Sequence, residues 1–283
     1  MNIDIKDRAE ILIEALPYIQ QYNGKIIVVK YGGNAMLSEE LKEAVMRDVV
    51  MPSLVGAKVV LIHGGGPEIS DMLKKVGKKS EFVDGLRVTD EETVDIVQMV
   101  LSGKVNKSLV NLIGNCGGKA IGLCGCDSKM IKAVPLNDKL GYVGKVTEIN
   151  EKPITDLLDL GYIPVISTVG CDDDGNIYKI NADTAAAKNA EKLKAESFIS
   201  MTDIRGVLKD KDDENSLIRV ISTKDAPGLI EDGTINGGMI PKIQCCTEAI
   251  DNGVKKVFII DGRVPHSILI EVLTDEGIGT MFI

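Results

Sequence analysis

Several residue types and signals are scarce or missing in this 283-residue chain. It has no tryptophan, and no apolar run approaches the ~20 residues that a membrane-spanning helix needs. Charged residues at positions 4, 6, 7, 8 and 10 precede any long apolar run, so we expect no secretory signal peptide. The net charge of −9 argues against nucleic-acid binding, because a phosphate backbone requires a basic surface.

The six cysteines form no C-x-x-C pair, and only two histidines are available to join them at a metal. We therefore expect no disulfide framework, and we interpret the cysteines as reduced, mostly buried thiols in a cytoplasmic protein. With 44% hydrophobic residues, the chain is long enough for one large domain or two smaller ones without disulfides.

The familiar nucleotide-binding motifs are also missing. The chain has no G-x-x-x-x-G-K-[ST] loop and no G-x-G-x-x-G after its first predicted strand, which argues against a P-loop enzyme and a dinucleotide-binding oxidoreductase. The HGGG string at 63–66 is not accompanied by a G-x-S-x-G elbow, so a hydrolase is disfavoured as well. The acidic loop 210–214 lacks the EF-hand glycine and is expected to be a solvated turn.

Predicted strands and helices alternate along the chain. This order predicts the α/β class, a three-layer α/β/α sandwich around a mainly parallel open sheet. Before the first strand, an amphipathic helix over 3–22 contains Pro17, which predicts a kink. The strands are predicted at 25–31, 58–63, 119–123, 130–135, 162–168, 177–180, 197–201, 255–261 and 280–283. One later helix is predicted to start at Ser38, and a second to follow the glycines at 64–66 and end near 76. Further helices are predicted at 89–102, 104–115, 150–160, 182–193 and 240–252, and one that starts at Pro265. Turns or hairpins are predicted near 141–144 and 207–220.

Many of the 29 glycines cluster at predicted strand ends, where ligands bind in parallel sheets. Glycines just before a helix leave backbone N–H groups open to an anion. Lys30 and Lys242 are cations beside such glycines, and Asp183 is a carboxylate that could orient them. Two lysines with N–H cradles and no evident base are typical of phosphoryl transfer to an acceptor that is already ionised.

Each of these residues alone has an ordinary structural interpretation. Lys30 could be a solvated strand end, Gly64–Gly66 a tight turn, and Arg87 one half of a surface ion pair. Asp183 could simply be a carboxylate that the dipole favours at a helix start. The residues therefore predict an anion-binding α/β protein, for which a kinase is the favoured function.

Several strings in one order resemble the acetylglutamate kinases of the amino acid kinase family along essentially the whole chain. They are KYGGNAM (30–36), HGGGPEI (63–69), DGLRVTDEET (84–93), VNKSLV (105–110), GYVG (141–144), INADTAA (180–186), DGTINGGMIPK (232–242) and IIDGRVPHS (259–267). The resemblance implies the amino-acid kinase fold and ATP-dependent phosphorylation of the γ-carboxylate of N-acetyl-L-glutamate, the second step of arginine biosynthesis. It also implies a lobe at 23–178 for acetylglutamate binding and dimerisation, and a lobe at 179–283 for ATP binding and the arginine-binding C-terminal segment.

The same resemblance assigns roles to residues. It implies that Lys30 and Lys242 stabilise the transferring phosphoryl group and that Asp183 holds them. For the substrate it implies contacts from Gly64, Gly65, Gly66, Arg87 and Asn181. For the nucleotide it implies contacts from Gly32, Gly33, Asp203, Gly206, Leu208, Thr234 and Asn236. Mg²⁺ would be carried by ATP, with no dedicated set of protein ligands.

Family members with an N-terminal helix before the first strand are inhibited by L-arginine. For residues 1–22 the resemblance therefore implies an oligomerisation helix and a hexamer built as a trimer of dimers. It places the arginine site at Tyr18, His266, Glu271, Gly277 and Gly279. Some family members also bind a nitrogen-regulatory signal protein.

Two alternatives stay open. One is another amino-acid kinase, which would act on aspartate, glutamate, carbamate or a nucleoside monophosphate. Arg87 within GLRVT and the INAD string favour acetylglutamate over these substrates. The other alternative is a non-catalytic ligand sensor on the same fold, which the presence of both Lys30 and Lys242 disfavours.

Overall fold

A computed structural model describes residues 4–36, 38–210 and 212–283. Residue 3 of the predicted N-terminal helix and Lys211 of the predicted acidic turn lie outside these ranges. Within them, none of the helices combines the length and the apolar character that crossing a bilayer requires.

The strands are β1 Ile26–Tyr31, β2 Lys58–His63, β3 Phe82–Val83, β4 Leu86–Arg87, β5 Ala120–Cys124, β6 Ile131–Pro135, β7 Val143–Ile149, β8 Ile163–Ser167, β9 Val169–Cys171, β10 Ile177–Ile180, β11 Ser197–Thr202, β12 Val220–Ile221, β13 Lys256–Asp261 and β14 Thr280–Phe282. The α-helices are α1 Ile5–Glu14, α2 Leu16–Tyr22, α3 Glu39–Leu54, α4 Gly66–Lys75, α5 Glu91–Gln98, α6 Asn106–Asn115, α7 Lys152–Asp159, α8 Ala182–Lys192, α9 Ala226–Glu231, α10 Met239–Asp251 and α11 Ser267–Leu273. Short 3₁₀ turns span Gly33–Met36, Asp127–Lys129 and Glu214–Ser216, and a π-helical stretch spans Met99–Val105.

The main sheet has eight strands in the order β12-β14-β13-β11-β1-β2-β8-β5. Its neighbouring strands are parallel except β13 and β14, which confirms the predicted α/β class with a mainly parallel sheet. Side chains alternate between its two faces, so Val29 and Leu61 pack into one core while Val28 and Val60 pack into the other. Helices including α3, α6 and α11 cover the first face, and α7, α8 and α10 cover the second.

A second, smaller sheet closes on itself in the order β10-β7-β6-β9. The sequence predicts a turn at 141–144 but misses the strand β7 that follows it. Gly144 is needed inside this sheet, because a Cβ there would lie 2.7 Å from both Ile180 Cδ1 and Tyr178 Cβ. Beside this sheet, the β3–β4 hairpin, which the sequence analysis also missed, carries Arg87.

The helix boundary predicted near Gly103 is wrong. The helices predicted at 89–102 and 104–115 form one continuous helical segment, in which the π-helical stretch joins α5 to α6. A single glycine weakens a helix by about 1 kcal/mol but does not end it, and a π-turn absorbs one extra residue without breaking the segment. Asp90 caps the start of α5, since its carboxylate accepts a hydrogen bond from Thr93 N at 2.8 Å.

The predicted N-terminal helix is kinked. It divides into α1 and α2 at Ala15, two residues before Pro17, whose ring and missing N–H are incompatible with an uninterrupted helix. Helix α2 packs on the main core through Tyr18, Ile19 and Tyr22. Helix α1 and the kink leave large apolar side chains exposed, among them Ile11, Leu12, Ile13 and Leu16.

Candidate active site

Two ammonium groups from distant parts of the chain meet at one carboxylate. Lys30 Nζ lies 3.1 Å from Asp183 Oδ1, and Lys242 Nζ lies 2.9 Å from Asp183 Oδ2. The three side chains are largely shielded from solvent, with exposed fractions of 9%, 22% and 17% for Lys30, Asp183 and Lys242. The structure therefore brings together the three residues that the sequence comparison with the family singled out for catalysis.

Each of the three residues is held by its own element. Lys30 is the penultimate residue of β1, opposite Ser200 of β11, and its ammonium also donates to the carbonyl of Met201 at 3.2 Å. Asp183 lies in the first turn of α8, and Ser200 Oγ donates to its Oδ1 at 3.2 Å. Lys242 lies in the first turns of α10, which packs against α8. The end of one strand and the first turns of two helices therefore place these groups around one point.

The electrostatic balance at this point keeps Asp183 ionised. Burial alone would raise the pKa of the Asp183 carboxyl, but the charges of Lys30 and Lys242 outweigh it and hold the pKa well below its usual range. Burial lowers the pKa of Lys30, the charge of Asp183 opposes that effect, and the charge of Lys242 adds to it. Both lysines depend on the same carboxylate, so removing it would leave two like charges facing each other.

The glycine turns after β1 and β2 lie beside Lys30. A Cβ on Gly32 would lie 3.9 Å from Lys30 Nζ and 3.8 Å from Gly64 N. Gly33 has φ +70°, and a Cβ there would lie 2.8 Å from an Asp203 carboxylate oxygen. Only glycine fits this conformation and this close approach without strain.

The N–H cradle at 64–66 is smaller than its sequence suggests. Gly64 N donates to Tyr31 O at 2.9 Å and continues the parallel ladder, so it is not available to an anion. The N–H groups of Gly65 and Gly66, at the start of α4, have no protein acceptor among the described residues. Two helix N-terminal donors thus remain to meet a ligand.

Two residues that the sequence analysis left without a role, His63 and Asn106, support this turn. Burial lowers the pKa of His63 to about 4, so its imidazole is neutral at pH 7. His63 Nδ1 donates to Gly64 O at 2.8 Å, and Asn106 Nδ2 donates to His63 Nε2 at 3.1 Å. These bonds fix one tautomer and orient the turn at the end of β2.

Arg87 is a buried cation with neutral partners. Its exposed fraction is 3%, and its guanidinium donates to Ser70 Oγ at 2.6 Å, to Gly66 O at 3.2 Å and to the Ser80 hydroxyl. It also lies over the Phe82 ring, 4.7 Å from its centre. No carboxylate of the described chain pairs with it, and burial lowers its pKa. A buried guanidinium held in this way is suited to an anionic ligand.

Asn181 and Asp183 line one cavity. Asn181 caps α8, and its Oδ1 accepts hydrogen bonds from Asp183 N at 2.9 Å and Thr184 N at 3.1 Å. The cavity, about 450 Å³, is also lined by Lys242 and by Gly85 of the hairpin that carries Arg87. Since the Asn181 carbonyl oxygen is occupied, the amide NH₂ is the part of this side chain that a substrate would meet.

Of the residues that the resemblance assigns to the nucleotide, Gly32 lies beside Lys30, and Gly33 lies beside Asp203. Gly206 lies farther along and is closely packed on β14, since a Cβ there would lie 2.6 Å from Thr280 Oγ1. Leu208 forms an antiparallel bridge with Leu217 in the predicted charged hairpin.

Thr234 and Asn236 lie in the turn before α10. Thr234 N donates to an Asp232 carboxylate oxygen at 2.9 Å, and Asn236 Nδ2 donates to Gly233 O at 3.0 Å. The following Gly237 and Gly238 are exposed and open to a ligand.

Four of the five residues assigned to arginine share a second cavity of about 340 Å³. Tyr18, Glu271, Gly277 and Gly279 line it between α2 and the C-terminal segment. His266 is not among the residues that line this cavity, and its Nδ1 donates to buried Asp48 at 2.6 Å, so its assignment to the arginine site stays a prediction. A histidine at the start of α11 is held by α3, a contact that its place in the sequence does not reveal.

Comparison with known proteins supports the family resemblance found in the sequence. The sequence model of the "Amino acid kinase family" matches residues 25–261. An acetylglutamate kinase from Brachyspira hyodysenteriae is 58% identical over 283 residues, covering 99% of this chain and 98% of the relative. An acetylglutamate kinase from Caldanaerobacter subterraneus is 55% identical over 276 residues, covering 97% of this chain and 92% of the relative.

Among solved structures, an N-acetylglutamate synthase from Neisseria gonorrhoeae, complexed with coenzyme A and N-acetyl-glutamate, superimposes with a TM-score of 0.85 at 25% identity. The match covers 97% of this chain but 63% of the synthase chain, so the chain spans under two thirds of that longer protein.

Proposed function

The chain belongs to the amino acid kinase family, and we propose that it transfers the γ-phosphoryl group of ATP to the γ-carboxylate of N-acetyl-L-glutamate. The product is N-acetyl-L-glutamyl 5-phosphate, and the reaction is the second step of arginine biosynthesis. Relatives at 55–58% identity over nearly the whole chain, which are acetylglutamate kinases, support this assignment. The observation in the structure that carries it is the pair of ammonium groups meeting at Asp183 beside open glycine turns.

The reaction needs little proton chemistry. A γ-carboxylate with a pKa near ~4.3 is ionised at neutral pH, so it attacks phosphorus without a general base. A carboxylate–phosphorus bond forms while the bond from the γ-phosphorus to the β–γ bridging oxygen breaks, and ADP leaves with that electron pair. Lys30 and Lys242 donate hydrogen bonds to the phosphoryl oxygens as negative charge moves across them, and Asp183 keeps both ammonium groups in place.

We assign substrate orientation to Arg87, to Asn181 and to two glycine N–H groups. We assign the α-carboxylate of N-acetyl-L-glutamate to Arg87, whose buried guanidinium has neutral protein partners. The NH₂ group of Asn181 and the N–H groups of Gly65 and Gly66 would bind the rest of the acceptor and line the path of the transferred phosphoryl group. The requirement for an α-carboxylate disfavours carbamate and nucleoside monophosphates as acceptors.

For the nucleotide we propose Gly32, Gly33 and Asp203 near the γ-phosphate, and the segment 206–208 and Thr234–Asn236 farther along. When bound, Mg²⁺ would neutralise charge on the ATP phosphates. The described residues contain no group of three or more His, Cys, Asp or Glu side chains arranged to hold a metal ion, so we propose that Mg²⁺ arrives with ATP. We propose an acceptor lobe at 23–178 and a nucleotide lobe at 179–283, with Gly32, Gly33 and Asn181 at the boundary where the two substrates meet.

A hydroxamate-trapping assay tests the proposal. Purified protein is incubated with ATP, Mg²⁺, hydroxylamine and one of N-acetyl-L-glutamate, L-glutamate, L-aspartate or carbamate. We expect acyl hydroxamate with N-acetyl-L-glutamate and ADP release in equal amount. Turnover with another acceptor but not with N-acetyl-L-glutamate would contradict the substrate assignment. Binding of the ligands without any ADP release would favour the sensor.

We further propose that L-arginine inhibits the enzyme from the second cavity. Its lining includes the carboxylates of Glu271 and Asp275 together with Glu276, which suit a guanidinium and an ammonium group. The exposed apolar side chains of α1 support a hexamer in which N-terminal helices from neighbouring dimers cover each other. Light scattering that gives a dimer at all concentrations, or a rate unaffected by arginine, would contradict these two points.

A further inference from the structure

The peptide between Gly64 and Gly65 is the part of the glycine turn that no helix or strand hydrogen bond orients. In a trans peptide the C=O and the N–H point in opposite directions, so the direction of Gly64 O sets that of Gly65 N–H. Both flanking residues are glycines, whose backbone reaches most conformations at little cost, so this peptide is free to turn over. The next peptide is different. Gly65 O accepts a hydrogen bond from Ile69 N at 2.9 Å in the first turn of α4, and this bond orients Gly66 N–H.

His63 holds the Gly64–Gly65 peptide in one orientation. The imidazole is fully buried, and its Nδ1 donates to Gly64 O at 2.8 Å. Gly64 N donates to Tyr31 O at 2.9 Å, which fixes the other side of the same residue. Because Gly64 O faces the imidazole, Gly65 N–H points away from it, and within the described ranges no protein group accepts this N–H.

Asn106 decides which imidazole nitrogen carries the proton. Its side-chain oxygen lies 3.0 Å from Lys107 Nζ, whereas its nitrogen lies 2.8 Å from Val165 O and 3.2 Å from Leu123 O. Backbone carbonyl oxygens can only accept, so the amide nitrogen must face them. The same nitrogen lies 3.1 Å from His63 Nε2, which therefore accepts and leaves the proton of the neutral ring on Nδ1. Burial keeps the ring neutral, since it lowers the pKa of His63 to about 4.

The turn that these side chains orient lies beside the groups assigned to phosphoryl transfer. A Cβ on Gly32 would lie 3.8 Å from Gly64 N and 3.9 Å from Lys30 Nζ. A Cβ on Gly64 would lie 3.4 Å from Ala182 Cβ, and the next residue of that helix is Asp183. A donor that is already aimed needs no reorientation when negative charge moves across the phosphoryl group, whereas a donor that turns freely must be ordered in each catalytic cycle.

We propose that His63 is a positioning residue for phosphoryl transfer, which aims Gly65 N–H at the transferred group by holding Gly64 O. Asn106 fixes the tautomer that this contact needs. The inference rests on the proposed function, because it deepens the role of the glycine turn in that reaction. His63 acts through the backbone and touches neither substrate. Loss of its contact therefore lowers kcat more than it raises KM, because the donor matters most when charge develops in the transition state.

Three variants separate this role from packing. His63→Leu fills the space but cannot donate to Gly64 O, and we expect kcat to fall about ten- to hundredfold, with KM for ATP and for N-acetyl-L-glutamate changed less than threefold. His63→Asn carries an NH₂ group close to the position of Nδ1 and should recover most of the rate. Ile113→Ala is the matched control, because Ile113 is fully buried on α6, the helix that begins at Asn106. It should destabilise the fold without lowering kcat.

The tautomer can be observed independently of activity. The chain has two histidines, so ¹⁵N-histidine spectra contain two imidazoles, and His266→Asn identifies the signals of His63. At neutral pH we expect the proton on Nδ1 and none on Nε2, and this measurement keeps the proposal testable if His63→Leu does not fold. A proton on Nε2, a wild-type kcat in His63→Leu, or equal losses in His63→Leu and His63→Asn would overturn the proposal. If wild type itself fails to phosphorylate N-acetyl-L-glutamate, the proposed function fails, whereas the spectrum still tests the contact with Gly64.

Discussion

Replacing Asp183 by asparagine removes the charge that holds Lys30 and Lys242 together while keeping the size of the side chain. At separations of 3.1 and 2.9 Å, each ion pair is worth about 5 kcal/mol at an effective dielectric constant of about 20. Much of that is offset because the carboxylate no longer has to be desolvated. Breaking a buried pair by removing one partner typically costs about 3–5 kcal/mol of folding free energy, and we expect Asp183→Asn to fall in this range.

The catalytic loss has a separate origin. Without the carboxylate, the ammonium groups repel each other and leave the positions from which they meet the phosphoryl oxygens. Removal of one preorganised donor lowers kcat by about 10²–10³, and we expect a loss of at least this size for Asp183→Asn. Asp183 also raises the pKa of Lys30, so its loss lowers that pKa further. The kcat deficit of the variant should therefore be larger at pH 9 than at pH 6.

Steady-state hydroxamate formation at saturating ATP and N-acetyl-L-glutamate measures kcat, and urea denaturation measures the free energy of unfolding. Asp156→Asn is the control, because its carboxylate pairs with exposed Lys152 at 2.9 Å and such a pair contributes little. A folded Asp183→Asn protein with wild-type kcat across this pH range would refute the role of the cluster.

Three further outcomes are expected. The pKa of buried His63 is about 4, against ~6.5 in the unfolded chain, so between these pH values the unfolded state binds the extra proton. About 3 kcal/mol of the free energy of unfolding should therefore be lost as pH falls from 6.5 to 4. Measured by urea denaturation, the unfolding free energy of His63→Gln should depend less steeply on pH over this range. Gly33→Ala forces a Cβ to within 2.8 Å of Asp203 at φ +70°, so its KM for ATP should rise at least tenfold while Gly77→Ala, also at positive φ but open to solvent, leaves it unchanged. Glu271→Gln should weaken inhibition by L-arginine at least tenfold in dose–response assays; inhibition identical to that of wild type would remove Glu271 from the effector site.

Local sequence patterns predicted much of the fold. The apolar runs of β1, β2 and β13 predict buried parallel strands, because a strand covered on both faces is apolar at nearly every position. Ser38 marked the start of α3, where its hydroxyl accepts a hydrogen bond from Leu41 N. Where the local signal is weak, the prediction fails: β7 mixes glycine with charged residues, and its place is decided by pairing with β6 and β10.

The residues of the candidate site likewise separate into those that local sequence patterns predict and those that they do not. The motifs around Lys30, Asp183 and Lys242 could be found in the sequence, because strand ends and helix starts with glycine are local patterns. Ser70, Ser80 and Asn106 carry no such pattern, and they matter because of what they reach across the fold. The same holds for the contact of His266 with Asp48, which joins residues far apart in the sequence.

By itself, the sequence determined the order of strands and helices, the parallel sheet and the residue types available for phosphoryl transfer. Those features depend on periodicity and on backbone chemistry within a few residues. Only the tertiary structure decided that two ammonium groups 212 positions apart share one carboxylate and that Gly64 donates its N–H to Tyr31 O. Distances of a few ångströms between remote segments set these interactions, and charge–charge energies change steeply over such distances.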